Sequence, residues 1–392
     1  MTDNASLSGT QPLGAQRLRR DLDRVSAELS TAADELAGLL AQRGRQRDAR
    51  VARLLHALHH QVHDGYRLLG DIGRLRRADE AAAGDDPLAQ AVQRRAWTAL
   101  NLSLNTLRLN LTGWPPVEHL VRRQLQRRRL PLYEDYAELP ETAQIRERVS
   151  DTLFAQLHHL LNRVAQDKAA DDHGCFPDIP LAHSLFLREV HAAKRCLHVL
   201  APGRETRFLD VGCGAGLKVI SAAPFFDRCV GLEYDPGYAR LASDLFGDMP
   251  HDRCRVVQGD ALTWDGYDDY DVIYFFRPIR DDARLARMER HIVDSIPGNT
   301  LLIAPYRTFD ARAEGYGCAR LAGDVYLSGA SAAEAAAVLA EAEKAGADLR
   351  HSTDPNIPLL WDRVVLASRA QGFEKHPETM RPIFGRLRDR NS

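Results

Sequence analysis

The chain has 392 residues, 44% of them hydrophobic and 27% charged, which is ample for sizeable cores and too long for one minimal domain. Its 52 basic and 54 acidic side chains leave a net charge of −2, so no whole-chain field favours nucleic acid or an anionic membrane. No apolar run approaches the ~18–20 residues of a membrane span. The opening residues MTDNASLSGT lack a signal-peptide pattern, and the six cysteines are scattered without a C-x-x-C pair. A cytoplasmic protein with no membrane partner, no disulfide framework and no metal site is therefore expected. Its 47 arginines against 5 lysines suggest a GC-rich bacterial source.

Residues 1–16 are small and polar and are expected to be disordered. Leu18, Leu22, Val25, Leu29, Ala32, Leu36 and Leu39 then step by alternating fours and threes, the seam of a long helix. The stretch around Gly44 interrupts it, and Val51, Leu55, Leu58, Val62, Leu69 and Ile72 resume on one helix face. An antiparallel hairpin docked on later helices satisfies both seams; a dimeric coiled coil is the competing reading, which makes this region a candidate for self-association. A loop is expected at 81–87, then helix over 88–112, ending at Gly113-Trp114-Pro115-Pro116. Further helices are expected over 117–129 and 141–168, so that 17–175 forms an all-helical N-terminal region.

Two features of this half invite functional readings. His56, His59, His60 and His63 lie within two turns of a helix, but no carboxylate or cysteine partner is implied, and the polar flank of an amphipathic helix is the simpler reading. Residues 94–130 carry eight arginines and one acid, Glu118, a pattern able to track a phosphate backbone. In so arginine-rich a chain, a solvated and ion-paired face is the preferred account.

From about residue 181 the pattern changes. A helix at 182–199 precedes strands at Arg207–Val211, Arg228–Leu232, Cys254–Gln258, Tyr270–Phe276 and Thr300–Ala304. Helices at 216–224, 236–247 and 281–295 alternate with them, which implies a parallel sheet with helices on both faces. The run towards Asp324–Leu327 adds antiparallel edge strands, and helices at 331–346 and 360–371 form a C-terminal extension, 331–392.

The first strand ends in Asp210 and turns through Gly212, Gly214 and Gly216. Glycines there permit positive φ and a close approach of backbone to a ligand, at the strand edge where open α/β sheets bind ligands. The second strand leads into Glu233, a carboxylate able to accept both hydroxyls of a ribose, and the third into Asp260. These segments, LDVGCGAG, VGLEYDP, QGDAL and DVIYFF, resemble in order and spacing the four motifs of the class I S-adenosylmethionine-dependent methyltransferases, over roughly residues 181–330. The resemblance implies an α/β fold with a seven-stranded sheet in a cofactor-binding domain, 176–330, preceded by the all-α region. It implies S-adenosyl-L-methionine as cofactor, with Asp210, Gly212, Gly214 and Gly216 near its methionine end. Glu233 would take the ribose diol and Asp260 the adenine amino group, with Tyr234 and Ala261 packing on the ring. A nicotinamide-binding fold is the weaker alternative, because Leu217 stands where its third glycine should fall.

The acceptor is less legible. Phe275-Phe276-Arg277-Pro278 lacks the Asn/Asp-Pro-Pro-aromatic signature of many nucleic-acid and glutamine N-methyltransferases. Tyr274 and Arg277 are the acceptor-side candidates; Arg277 would grip a carboxylate or phosphate, or pair with Asp281 or Asp282. A methyltransferase acting on an unidentified small, acidic metabolite is the leading reading. A nucleic-acid methyltransferase docking through 94–130, and a cofactor-binding assembly or sensing module without turnover, are the alternatives.

Overall fold

The computed structural model describes residues 12–42, 45–126, 129–346, 349 and 360–373. Residues 1–11 of the expected disordered stretch, Gly44, Arg127 and Arg128 lie outside the described residues. The helices begin with α1 (Leu13–Leu40), α2 (Arg45–Ala83), α3 (Pro87–Thr98) and α4 (Asn101–Leu125). Then come α5 (Glu141–Leu161), α6 (Lys168–Asp172) and α7 (His183–Leu200). The alternating part is β1 (Arg207–Val211), α8 (Leu217–Ala222), β2 (Arg228–Glu233), α9 (Pro236–Gly247), β3 (Cys254–Gln258) and β4 (Val272–Phe275). It continues with α10 (Asp282–Ser295), β5 (Leu301–Ile303), α11 (Arg307–Ala313), β6 (Cys318–Ala322), β7 (Val325–Ser328), α12 (Ala332–Ala342) and α13 (Asp362–Arg369).

The chain divides into two compact units, and not at the boundaries expected from the sequence. Residues 1–127 group with 355–392, and 128–354 form the other unit. The divisions expected at 175/176 and 330/331 therefore give way to this grouping: α5 and α6 join the sheet, and α13 packs with the N-terminal helices.

In the helical unit every seam residue of α1 is buried, together with Val51, Leu55, Leu58 and Val62 of α2. Each buried Leu or Val removes roughly 1.5–3 kcal/mol of apolar surface from water, which is why so regular a seam folds back on its neighbour. The start of α1 has no capping side chain of its own. Asp79 of α2 serves instead, accepting from Gly14 N at 2.8 Å and Ala15 N at 2.9 Å, and also from Trp97 Nε1 at 3.1 Å. It brings an anion to the positive end of the helix dipole.

The expected stop at Gly113–Pro116 does not occur: α4 runs through Pro115 and Pro116. Leu107, Leu111, Trp114, Val117, Leu120 and Val121 keep helical spacing on one buried face, and that burial outweighs the cost of roughly 3 kcal/mol for an interior proline. Trp114 packs against Trp361, with ring centroids 4.7 Å apart, and Trp361 Nε1 donates to Asn110 O at 2.7 Å.

In the other unit a seven-stranded sheet has the order β3-β2-β1-β4-β5-β7-β6, with β7 antiparallel to both β5 and β6 and the other neighbouring pairs parallel. This is the seven-stranded α/β sheet expected from the sequence. Side chains alternate: Phe208, Val272, Tyr274, Leu301 and Ile303 enter one core with α7, α8, α9 and α12. Leu209, Val211, Ile273, Phe275 and Leu302 enter the opposite core with α10 and α11. Strand order reverses between β1 and β4, which places a crevice at their carboxyl ends. Helix α5 stops at Leu161 rather than near 168, so residues 162–182, apart from the single turn of α6, form a strap at that edge.

Candidate functional site

The site grows from the end of β1. Gly212 N and Cys213 N both donate to Leu232 O of β2, at 2.8 and 3.2 Å, and fold the chain into a tight turn. Gly214 holds φ +55°, and a Cβ there would lie 2.3 Å from Asp178 Cγ, so only glycine fits. Gly216, at φ +81°, would collide with Phe246 Cζ at 2.5 Å.

Beside this turn, Glu233 closes β2. Its carboxylate accepts from Gly214 N at 2.8 Å and from Asp235 N at 2.8 Å, which locks the ends of β1 and β2 together. Burial pushes its pKa up to about 7 against the pull of those two backbone donors. Asp210 is likewise raised to about 7 by burial, with Lys218 opposing and Asp178 and Glu233 adding to the shift.

A cavity of about 240 Å³ opens at this edge. Asp210, Gly212, Gly214, Glu233, Tyr234, Asp260, Ala261, Tyr274 and Arg277 all line it. Gly216 does not; it supports the turn from behind, against Phe246 and Ala242. Arg277 has φ +41°, strained for a residue with a side chain. Its Nη2 is 3.6 Å from Asp282 Oδ1, and its buried Nε has no hydrogen-bond partner. Asp281 is committed elsewhere, capping α10 through Arg284 N at 2.8 Å.

Sequence reasoning missed the strap. Asp178 accepts from Ala215 N of the glycine turn at 2.9 Å and from Asn162 Nδ2 at 2.8 Å. His173 stacks on Tyr234, with centroids 4.0 Å apart and planes 8° from parallel, and its Nε2 lies 3.2 Å from Asp260 Oδ2. Phe176 N donates to Pro278 O at 3.3 Å, which ties the strap to the segment after β4. Sequence reasoning also missed Lys218, in the first turn of α8, which lines the cavity while its Nζ is buried without a hydrogen-bond partner.

The donor set suits a nucleoside carrying an amino acid. It offers a buried carboxylate at a strand end, a flat ring beside a second carboxylate, a backbone turn free of side chains, and one buried cation. Elsewhere, His56 and His60 bring their Nε2 atoms within 3.2 Å on an exposed helix face. Among the described residues no group of three metal-ligating side chains is assembled, and no helix is long and apolar enough to cross a membrane.

No family model matches the chain. A curated rRNA adenine N-6-methyltransferase from Streptomyces fradiae is 32% identical over 78 residues, 20% of this chain and 24% of that protein. This chain thus matches about a quarter of the relative's length. A sugar N-methyltransferase structure from Streptoalloteichus sp. is 23% identical, with 31% of this chain and 49% of that chain covered and a TM-score of 0.26. An RNA methyltransferase structure from Salinibacter ruber, in complex with S-adenosyl-L-homocysteine, is 21% identical, with 34% and 86% covered and a TM-score of 0.25. Such low scores carry no argument about activity. The strand order, with the four motifs at the carboxyl ends of their strands, agrees with the class I S-adenosylmethionine-dependent methyltransferase fold that the sequence resembles.

Proposed function

We propose that the chain binds S-adenosylmethionine in the cavity and transfers its methyl group to a small, acidic acceptor at the Tyr274–Arg277 end. The observation that carries this reading is Glu233, buried at the end of β2 with its carboxylate held by two backbone N–H groups beside the glycine turn. In this reading Glu233 takes the ribose hydroxyls and Asp210 with Gly212 and Gly214 faces the methionine end. The face of Tyr234 and the carboxylate of Asp260, both engaged by His173, are the groups an adenine uses. Binding therefore exchanges one flat nitrogen heterocycle for another, with Ala261 at the ring's edge.

The cofactor supplies a methyl on a positively charged sulfur, a leaving group that needs no acid. The protein's task is alignment and exclusion of water. The strap contributes to the second, held over the glycine turn by Asp178. Arg277 provides part of the first: a strained backbone and an unpartnered Nε give it a guanidinium edge for an anionic acceptor.

The matched rRNA methyltransferase keeps RNA as the second reading. Against it, Arg122 of the arginine-rich stretch is already bonded to Glu118 at 2.6 Å. A cell extract supplied with methyl-labelled cofactor and fractionated into small molecules, RNA and protein separates the readings. The proposal expects label in the small-molecule fraction, abolished by Gly214→Arg. Label in RNA establishes the second reading, and no label in any fraction leaves a binding module without turnover.

A further inference from the structure

One corner of the cavity is filled by the protein's own side chain. His173 lines the cavity and lies parallel to Tyr234, with ring centroids 4.0 Å apart, and its Nε2 is 3.2 Å from Asp260 Oδ2. That spacing is the separation of carbon atoms in contact, so no third ring can enter between the two. The imidazole thus occupies both groups that the proposed function gives to adenine, a flat face and a carboxylate.

It is also latched from behind. Arg284 of α10 brings Nη2 to 3.0 Å from His173 Nε2 and 3.3 Å from its Nδ1, and donates through Nη1 to the His173 carbonyl. Arg284 itself stands outside the cavity lining. The strap is fastened on both sides of the imidazole: Asp167 N donates to Asp235 Oδ2 at 2.6 Å, Arg280 binds Asp171, and Arg280 N donates to Gly174 O at 2.9 Å. Gly174, at φ +84°, turns the chain directly after His173. A histidine serving the strap alone would be expected to spend its ring on the strap. Here the ring partners are side chains of other segments, Tyr234, Asp260 and Arg284, and the side chain stays 21% exposed. A stack or hydrogen bond of this kind shifts an equilibrium by about two- to tenfold, enough to compete with a ligand and too little to exclude one.

We propose that His173 is an autoinhibitory plug, latched by Arg284 over Tyr234 and Asp260, which the cofactor must evict in order to seat its base. This rests on the cofactor reading above. Apparent affinity falls by the fraction of molecules in which the plug is out, so the strap as well as the cofactor concentration sets occupancy of the cleft. A ligand with a flat base and an amino group replaces both contacts that the imidazole gives up, and one without a base replaces neither.

The test is isothermal titration of the full chain with S-adenosylhomocysteine. His173→Ala should tighten binding about tenfold, the worth of the stack and the polar contact that no longer compete. Arg284→Met, which removes the latch and alters no residue lining the cavity, should tighten it about threefold. His173→Phe keeps a ring on Tyr234 and should gain less than the alanine variant. Unchanged or weaker binding in folded His173→Ala overturns the inference, because a histidine that only holds the strap, or that contacts the cofactor, gives that result. A gain in His173→Phe equal to that in His173→Ala overturns it too, since the ring would then not be the plug. Independently of any variant, the His173 ring resonances of the wild type should shift as S-adenosylhomocysteine is added and the imidazole leaves the face of Tyr234; resonances that stay in place while the ligand binds overturn the inference. If neither the wild type nor His173→Ala binds S-adenosylhomocysteine, the cofactor reading itself fails and the plug falls with it.

Discussion

The helical unit and the sheet unit spend their buried charges differently. Among the described residues of the helical unit, Asp79 is the one carboxylate in the core, and all its partners are structural: two amides at a helix start and an indole. The sheet unit buries Glu189, Asp210, Glu233, Asp235, Asp271 and Glu289, as well as Arg195. Some of these are plainly structural. Arg195 donates to Pro131 O at 2.7 Å and Leu130 O at 2.8 Å, and Glu289 accepts from Tyr306, Tyr316 and Arg312. Asp210 and Glu233 differ, for they face a cavity and burial works against their charge. One unit buries a charge to finish a helix; the other also buries carboxylates against a cavity, which the proposed function assigns to a ligand.

The sharpest way to break that contrast is Asp79→Ala. It leaves Gly14 N, Ala15 N and Trp97 Nε1 without their acceptor, so urea unfolding should show a loss of about 4 kcal/mol. A loss below about 1 kcal/mol would mean that the cap does not hold the helical unit.

The next effect, on the order of 3 kcal/mol, lies in the sheet unit and depends on pH. Asp210 rises from 3.8 and Glu233 from 4.5, each to about 7, so between about pH 4 and 7 the folded state holds more protons than the unfolded one. Their contribution to stability is therefore greatest at acidic pH and falls as pH rises through 7. Thermal melts across pH 5 to 8 should show this decline, and Asp210→Asn should flatten it; an equal slope in both proteins would contradict the assignment.

Smaller still, Pro115→Ala should stabilise the helical unit by about 1–3 kcal/mol, because Pro115 is exposed and interrupts the hydrogen-bond ladder of α4. Destabilisation would show that the proline supports a packing kink. Trp361→Phe should cost about 1 kcal/mol beyond lost packing, since it removes the buried indole bond to the Asn110 carbonyl. A double cycle with Trp114→Phe separates that bond from the ring contact.

Legibility follows the range of the interactions. The glycine turn, the strand-ending acids and the α1 seam are local patterns, and β1 and β3 fall on the residues that the sequence marks. The α4 prolines mislead because the signal that overrides them is tertiary: a buried face continuing on both sides of Pro115 and Pro116, with Trp361 from the far end of the chain. The strap was illegible for the same reason. Nothing around His173 or Asp178 announces partners at Tyr234, Asp260 or Ala215, dozens of residues away. Lys218 did carry a signal, a rare lysine two residues after the last glycine of the turn, but its isolation from acceptors is visible only in three dimensions.

The central claim is that Glu233 and the turn beside it form a cofactor cleft, and calorimetry on the purified protein tests it most directly. The account predicts saturable sub-millimolar binding of both S-adenosylmethionine and S-adenosylhomocysteine, weakened at least tenfold by Glu233→Ala through loss of charge-assisted bonds to the ribose. Saturable binding of NADH with no response to either sulfur ligand, or an affinity untouched by Glu233→Ala, would contradict it.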